Sequence, residues 1–211
     1  MNNSQESVLI VATRNQGKVR EFAHALAFLG KPVKSMYDYP EVPEVVEDGK
    51  TFAENARKKA KEVGDFLGQS VLADDSGLCV DKLEGAPGVY SARYAGEGAS
   101  DEDNNAKLLS ELEHMRLGED TEQPLLSTAR FVCHLALYNP ATGEFTEASG
   151  TVEGWITSEP AGEGGFGYDP LFYLPEYEKT LAELTVSEKQ AISHRGAALR
   201  QLAQQMEDMN K

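Results

Sequence analysis

Val71-Leu72-Ala73-Asp74-Asp75-Ser76-Gly77-Leu78 is the stretch around which the chain is organised. Val71 to Ala73 read as the end of a buried strand, and the two acids sit where that strand leaves the core. Adjacent carboxylates repel, and each raises the pKa of the other. A bound divalent cation reverses that cost, because carboxylate oxygens are the ligands Mg²⁺ prefers. The plain structural alternative is an acidic turn with Ser76-Gly77 as turn residues.

Working outward toward the N-terminus, Val8 to Ala12 is a continuous apolar run, read as a strand buried on both faces of an α/β sheet. The polar loop Thr13-Arg14-Asn15-Gln16-Gly17-Lys18 follows. Val19, Phe22, Ala23, Leu26 and Leu29 then recur at helical spacing, and Gly30 with Pro32 closes that helix. Strand, polar loop and helix form the arrangement in which backbone N–H groups and the helix dipole meet an anion. The loop is not a Walker A motif: Ala12 stands where the first glycine belongs, and Val19 where Ser or Thr belongs. Val33 to Met36 reads as a short strand, Tyr39 to Glu44 as extended, and Thr51 with Glu54 as a capping box. The helix it opens buries Phe52, Ala56, Ala60, Val63 and Phe66 or Leu67. Its other face carries Arg57, Lys58, Lys59 and Lys61, from which one cation could reach phosphate.

On the C-terminal side, Leu78-Cys79-Val80 reads as a second strand, Gly85 to Gly88 as a turn, and Ser91 to Gly98 as a mobile loop at the edge of a site. Ser100 caps a helix whose stripe is Leu108, Leu109, Leu112 and Met115. Leu117 to Gln123 is the one candidate boundary between lobes. Ala129–Tyr138 and Phe145–Thr151 form a hairpin, with Trp155-Ile156 ending a further strand. His134 in the hairpin reads as a core or interface residue. In Gly162-Glu163-Gly164-Gly165-Phe166-Gly167-Tyr168-Asp169-Pro170, the glycines let the backbone approach a ligand, two aromatic rings offer faces to a base, and Asp169 offers acceptors. Leu171–Leu174 is a strand. Thr180 with Glu183 and Ser187 with Gln190 are capping patterns, and the last helix buries Ile192, Leu199, Leu202 and Met206. Lys189, His194 and Arg195 near its start can donate hydrogen bonds to an oxo group or a phosphate.

The chain has 211 residues, with 20 Lys and Arg against 35 Asp and Glu, a net charge of −15. That balance argues against binding nucleic acid, which depends on cations neutralising phosphates, but leaves room for a small phosphorylated ligand. No apolar run approaches the roughly 20 residues of a membrane span. Met1 to Ser7 carries no secretory signal, and the two cysteines, Cys79 and Cys133, are expected as buried free thiols of a reducing compartment, the cytoplasm.

Six blocks in order resemble the inosine triphosphate pyrophosphatases, also called dITP/XTP pyrophosphatases. They are Thr13–Lys18; Glu47, Gly49 and Thr51–Ala56; Ala73–Leu78; Gly85–Tyr94; Gly165–Pro170; and Ala191–Gly196. The resemblance spans Val8 to about Leu202. It implies one α/β domain over residues 1–211, two-lobed, with a long mixed central sheet flanked by helices and an active-site cleft between the lobes. It implies a Mg²⁺-dependent homodimer that converts non-standard purine nucleoside triphosphates (ITP, dITP, XTP) to the monophosphate and pyrophosphate. By the same resemblance Asp75 is the general base, and Glu47 and Asp75, with Asp74 in support, hold the metal. The loop Thr13, Arg14, Asn15, Gln16, Gly17 and Lys18, together with Lys59, takes the triphosphate, and Ser76 touches substrate. Phe166, Gly167, Tyr168 and Asp169 form the base pocket with Lys189, His194 and Arg195. One departure is Arg14, where many members have glycine. The rival readings are a pyrophosphatase for other modified nucleotides, including pyrimidines, and a non-catalytic nucleotide-binding regulator. A haloacid-dehalogenase phosphatase would need Asp-x-Asp, whereas the acids here are adjacent.

Overall fold

The computed structural model describes residues 8–27, 32–115 and 124–209. Its elements in chain order are β1 (Leu9–Val11), α1 (Gln16–Ala25), β2 (Val33–Ser35), α2 (Phe52–Leu67), β3 (Val71–Val80), α3 (Asp101–Met115), β4 (Leu125–Asn139), β5 (Glu144–Thr157), β6 (Phe172–Leu174), β7 (Lys179–Thr180), α4 (Val186–Ile192) and α5 (His194–Met209). The strands form one mixed seven-stranded sheet in the order β2-β1-β3-β4-β5-β6-β7. β1 pairs in parallel with β2 and β3, and β6 pairs antiparallel with β5 and β7. No helix among the described residues is long and apolar enough to cross a membrane.

Two compact units share the chain, and it passes between them at 75/76, 132/133, 150/151 and 194/195. No single linker separates them. The boundary expected at Leu117–Gln123 lies outside the described residues, as do Leu29 and Gly30 of the first helix signal. The core of the first unit comprises Ile10, Ala56, Ala60, Val63, Val71 and Ala73, and a second cluster around Val11, Phe22, Leu72, Leu135 and Leu199. The second unit packs Leu78, Val80, Leu108, Leu112, Phe131, Leu171 and Phe172.

Several local expectations need correction. β3 does not end at Ala73: it runs unbroken to Val80, so Asp74 and Asp75 lie in mid-strand, buried. Burying two carboxylates there is tolerable because cations from other elements meet them. β5 likewise runs on to Thr157 and takes in Trp155-Ile156. Thr51 caps α2 by accepting the Glu54 N–H, but the Glu54 carboxylate turns to the Lys50 N–H rather than completing a box on Thr51. On α2, Phe66 is exposed while Leu67 packs on the core. Residues Gly88–Arg93 form a 3₁₀ helix, which takes in Ser91 to Arg93 of the expected loop, while Tyr94 to Gly98 follow as turns: buried Ser91 donates to the Gly88 carbonyl and accepts the Leu78 N–H. The final helix is two helices. Thr185 and Glu188, not Ser187 and Gln190, form the capping box of α4, and extended Ser193 breaks the chain before α5. Both cysteines are free; Cys133 is buried, Cys79 partly exposed.

Candidate active site

In the first unit, α1 begins where β1 delivers the chain into the polar loop. Asn15 is its N-cap, accepting the Lys18 N–H at 3.0 Å, and Thr13 accepts the Asn15 N–H at 3.1 Å. This turn leaves Gln16 exposed at the start of α1 and buries Gly17. Arg14 reaches away to donate to the Val42 carbonyl at 2.7 Å, so its side chain ties the loop to the segment after β2.

Lys18 projects from the first turn of α1 to Asp74, Nζ to Oδ2 3.0 Å. Arg195, on the first turn of α5, donates to the same oxygen at 2.9 Å and to Glu21. Burial works to raise the Asp74 pKa, but Lys18, Arg195 and Lys59 outweigh it and hold the group far below the usual carboxylate range. Asp75 differs. Burial raises its pKa, Lys59 and Lys18 pull it down, Glu47 pushes it up, and the net direction is upward. Asn55, fully buried on α2, donates to Asp75 Oδ2 at 2.9 Å and accepts the Gly49 N–H at 2.8 Å. A Cβ on Gly49 would lie 2.6 Å from that Asn55 oxygen, so glycine is required there.

The four cations of α2 separate cleanly. Arg57 forks onto Glu147 with both bonds at 2.7 Å, Lys58 pairs with Asp48 and Lys61 with Asp65, all at the surface. Lys59 is largely buried, 2.7 Å from Glu47. Burial works against its charge, yet Glu47, Asp74 and Asp75 together raise its pKa. Negative charge from the loop before α2 and from β3 thus converges on one point. Among the described residues no group of three or more His, Cys, Asp or Glu is assembled as a ready metal cage. The donor set nonetheless suits a hard divalent cation: Glu47 and Asp75 offer only oxygen and are close enough to repel.

In the second unit, Ser76 continues β3, half-buried. The loop Gly165–Asp169 closes on itself. Asp169 Oδ2 accepts the Phe166 N–H at 2.9 Å and the Lys189 ammonium at 2.6 Å, and that ammonium lies 4.9 Å from the centre of the Phe166 ring. Gly165 has φ +76°, and a Cβ there would fall 2.0 Å from the Asp169 carboxylate. Tyr168 is buried, with its hydroxyl donating to the Ser91 carbonyl. His194, also buried, stacks on Phe131 at 4.9 Å with a 13° interplanar angle. The structure thus brings Phe166, Asp169 and Lys189 together. In the first unit, Arg195 pairs with the Asp74 and Glu21 carboxylates.

Sequence reasoning gave no role to Asn55 or Glu21. Asn55 lies inside a recognised block and faces the core side of α2, where a buried amide is a signal by itself. Nothing local marks Glu21, whose partner Arg195 is 174 residues away.

Residues 9–205 match the model of the Ham1 family. A dITP/XTP pyrophosphatase of Geobacter sulfurreducens is 54% identical over 191 residues, covering 90% of this chain and 92% of that protein. One of Desulforamulus reducens is 52% identical, with 96% of each chain covered. Among solved structures, a HAM1 protein from Coxiella burnetii superposes with a TM-score of 0.82 at 39% identity, covering 95% of this chain and 98% of its own. The Staphylococcus aureus Ham1 protein gives 0.79 at 40%, covering 96% and 99%. With the family model matched over residues 9–205 and the overall fold shared over nearly the whole length, the chain belongs to the Ham1 family.

Proposed function

We propose that this chain hydrolyses dITP, XTP and ITP to the monophosphate and pyrophosphate, removing non-standard purine nucleotides from the cellular pool. Relatives of that name at more than half identity support the reading. The observation that carries it is Asp75, a buried carboxylate with a raised pKa, set among Lys18, Lys59 and Glu47. A base for water needs such a pKa, and a triphosphate needs such cations.

Lys18 and Lys59 hold the phosphate chain, competing with Asp74 and Glu47 for it, while Thr13 and Asn15 orient it at the start of α1. Arg14, Gln16 and Gly17 shape that loop. Asp75 orients a water and takes its proton as the water oxygen bonds to the α-phosphorus; the bond to the bridging oxygen breaks, and pyrophosphate leaves. Glu47 and Asp75, with Asp74 behind them, would hold Mg²⁺, which when bound offsets the charge of the phosphate oxygens. Ser76 touches the substrate. Phe166 and Tyr168 shape the base pocket, and Lys189 and His194 donate to the 6-oxo group that adenine lacks. Arg195, which also pairs with Asp74, completes the base pocket with Lys189 and His194. The enzyme works in the cytoplasm as a homodimer, for which light scattering should return twice the 23.0 kDa chain mass.

Pyrophosphate release from dITP, XTP, ITP, GTP and ATP, with and without Mg²⁺, tests the proposal. Release from the first three that depends on the metal and exceeds ATP by at least about 100-fold is expected. Equal rates across all five would remove the selectivity, and no release at all would leave a nucleotide-binding protein.

A further inference from the structure

The main chain of the aromatic loop is held at Gly167 by two residues of α3. The Gly167 N–H donates to Asp101 Oδ2 at 2.7 Å, and Asn105 Nδ2 donates to the Gly167 carbonyl at 3.0 Å. Asp101 and Asn105 are four apart and share one face of the helix. Asp101 is the first residue of α3, where the helix dipole favours a carboxylate, so the helix steadies the acid that grips the loop. Asn104 turns elsewhere, accepting the Ala95 N–H at 2.8 Å and donating to the Ala92 carbonyl at 3.3 Å. It fixes the helix to its neighbouring segment, leaving Asp101 and Asn105 to fix the loop. The Asn105 amide cannot be reversed, since its oxygen would then face the Gly167 oxygen. As placed, its buried Oδ1 has no hydrogen-bond partner among the described residues, which costs stability. The side chain is therefore held in this attitude by its bond to the loop.

We infer that Asp101 and Asn105 are positioning residues for base recognition. They fix the peptide of Gly167, whose φ of +63° sets the directions in which Phe166 and Tyr168 leave the chain. The Gly167 N–H is committed to Asp101, so Gly167 serves the pocket by its conformation rather than as a donor. The inference rests on the pyrophosphatase reading. Phe166 and Tyr168 are separately tied to Asp169 and Ser91, which leaves the α3 pair to define the residue between them.

Asp101→Ala and Asn105→Ala test it, with Asp101→Asn as the conservative control that keeps an acceptor oxygen. In each alanine variant the KM for dITP rises about ten-fold and kcat stays within about two-fold of the parent. The inhibition constant of inorganic triphosphate, which has no base, stays at the parent value. Asp101→Asn recovers most of the loss, and amide exchange at Gly167 is faster in Asp101→Ala. An unchanged KM in both alanine variants of an active parent overturns the inference. So does a parallel rise in KM and in the triphosphate inhibition constant, which marks general structural damage. A parent that releases no pyrophosphate from dITP, XTP or ITP sinks the underlying reading instead, and the parent control alone identifies that result.

Discussion

Arg195 and Asp74 form a buried ion pair, Nη2 to Oδ2 2.9 Å, with side chains 1% and 0% exposed. The two residues are 121 positions apart in sequence, and the pair joins the first turn of α5 to mid-β3. A charge so placed is stable only while its partner remains.

Replacing Arg195 with Met roughly keeps the volume and takes the positive partner away from both Asp74 and Glu21. We expect the variant to lose roughly 3 kcal/mol of stability in urea unfolding, because it strands buried carboxylate charge. A loss under about 0.5 kcal/mol would show that Lys18 alone satisfies Asp74.

Acid should weaken the fold through the same group. The folded-state pKa of Asp74 is depressed below its ordinary 3.8, so the folded form binds fewer protons than the unfolded form in that range. Its contribution is therefore complete above about pH 4 and drains away as pH falls through the depressed value. Thermal melts between pH 5 and pH 2 should show a steeper acid decline in the parent than in Asp74→Asn.

Asp75→Asn should bind dITP at near-parental affinity while turnover falls by at least about 100-fold. The Asp75 pKa is raised, so the acid limb of kcat/KM in the parent should lie above the ordinary 3.8 of an aspartate. Parental turnover in the Asn variant would reassign the base.

Asn55 lowers the Asp75 pKa through its hydrogen bond. Asn55→Leu should move the acid limb of the pH profile to higher pH and reduce kcat/KM at neutral pH by about ten-fold. A profile at the parental position would mean that the bond does not set the Asp75 pKa.

Gly165→Ala places a methyl group against the Asp169 carboxylate and forces a left-handed φ on an L residue. A stability loss of at least about 1 kcal/mol in chemical denaturation, with a raised KM for dITP, is the expected result.

Periodicity and punctuation in the sequence located most elements: the apolar run of β1, the stripe of α2, the Ser100 cap of α3 and the hairpin of β4 and β5. These depend on neighbours within one turn or one strand, and such neighbours are written locally. The six blocks in order identified the family, since few unrelated chains would carry all six. Local reading failed at the acids, ending the strand at Ala73 because two bare carboxylates do not belong inside a sheet. Only the tertiary structure supplies Lys18, Lys59 and Arg195 to neutralise them, from helices far apart in the chain. Tertiary packing also divided the four cations of α2, setting Lys59 among the acids and the other three on surface partners, and drew Arg195 to Asp74. Hydrogen-bond and charge partners that close across long sequence separations leave no periodic trace, so which cation meets which acid is decided by the fold.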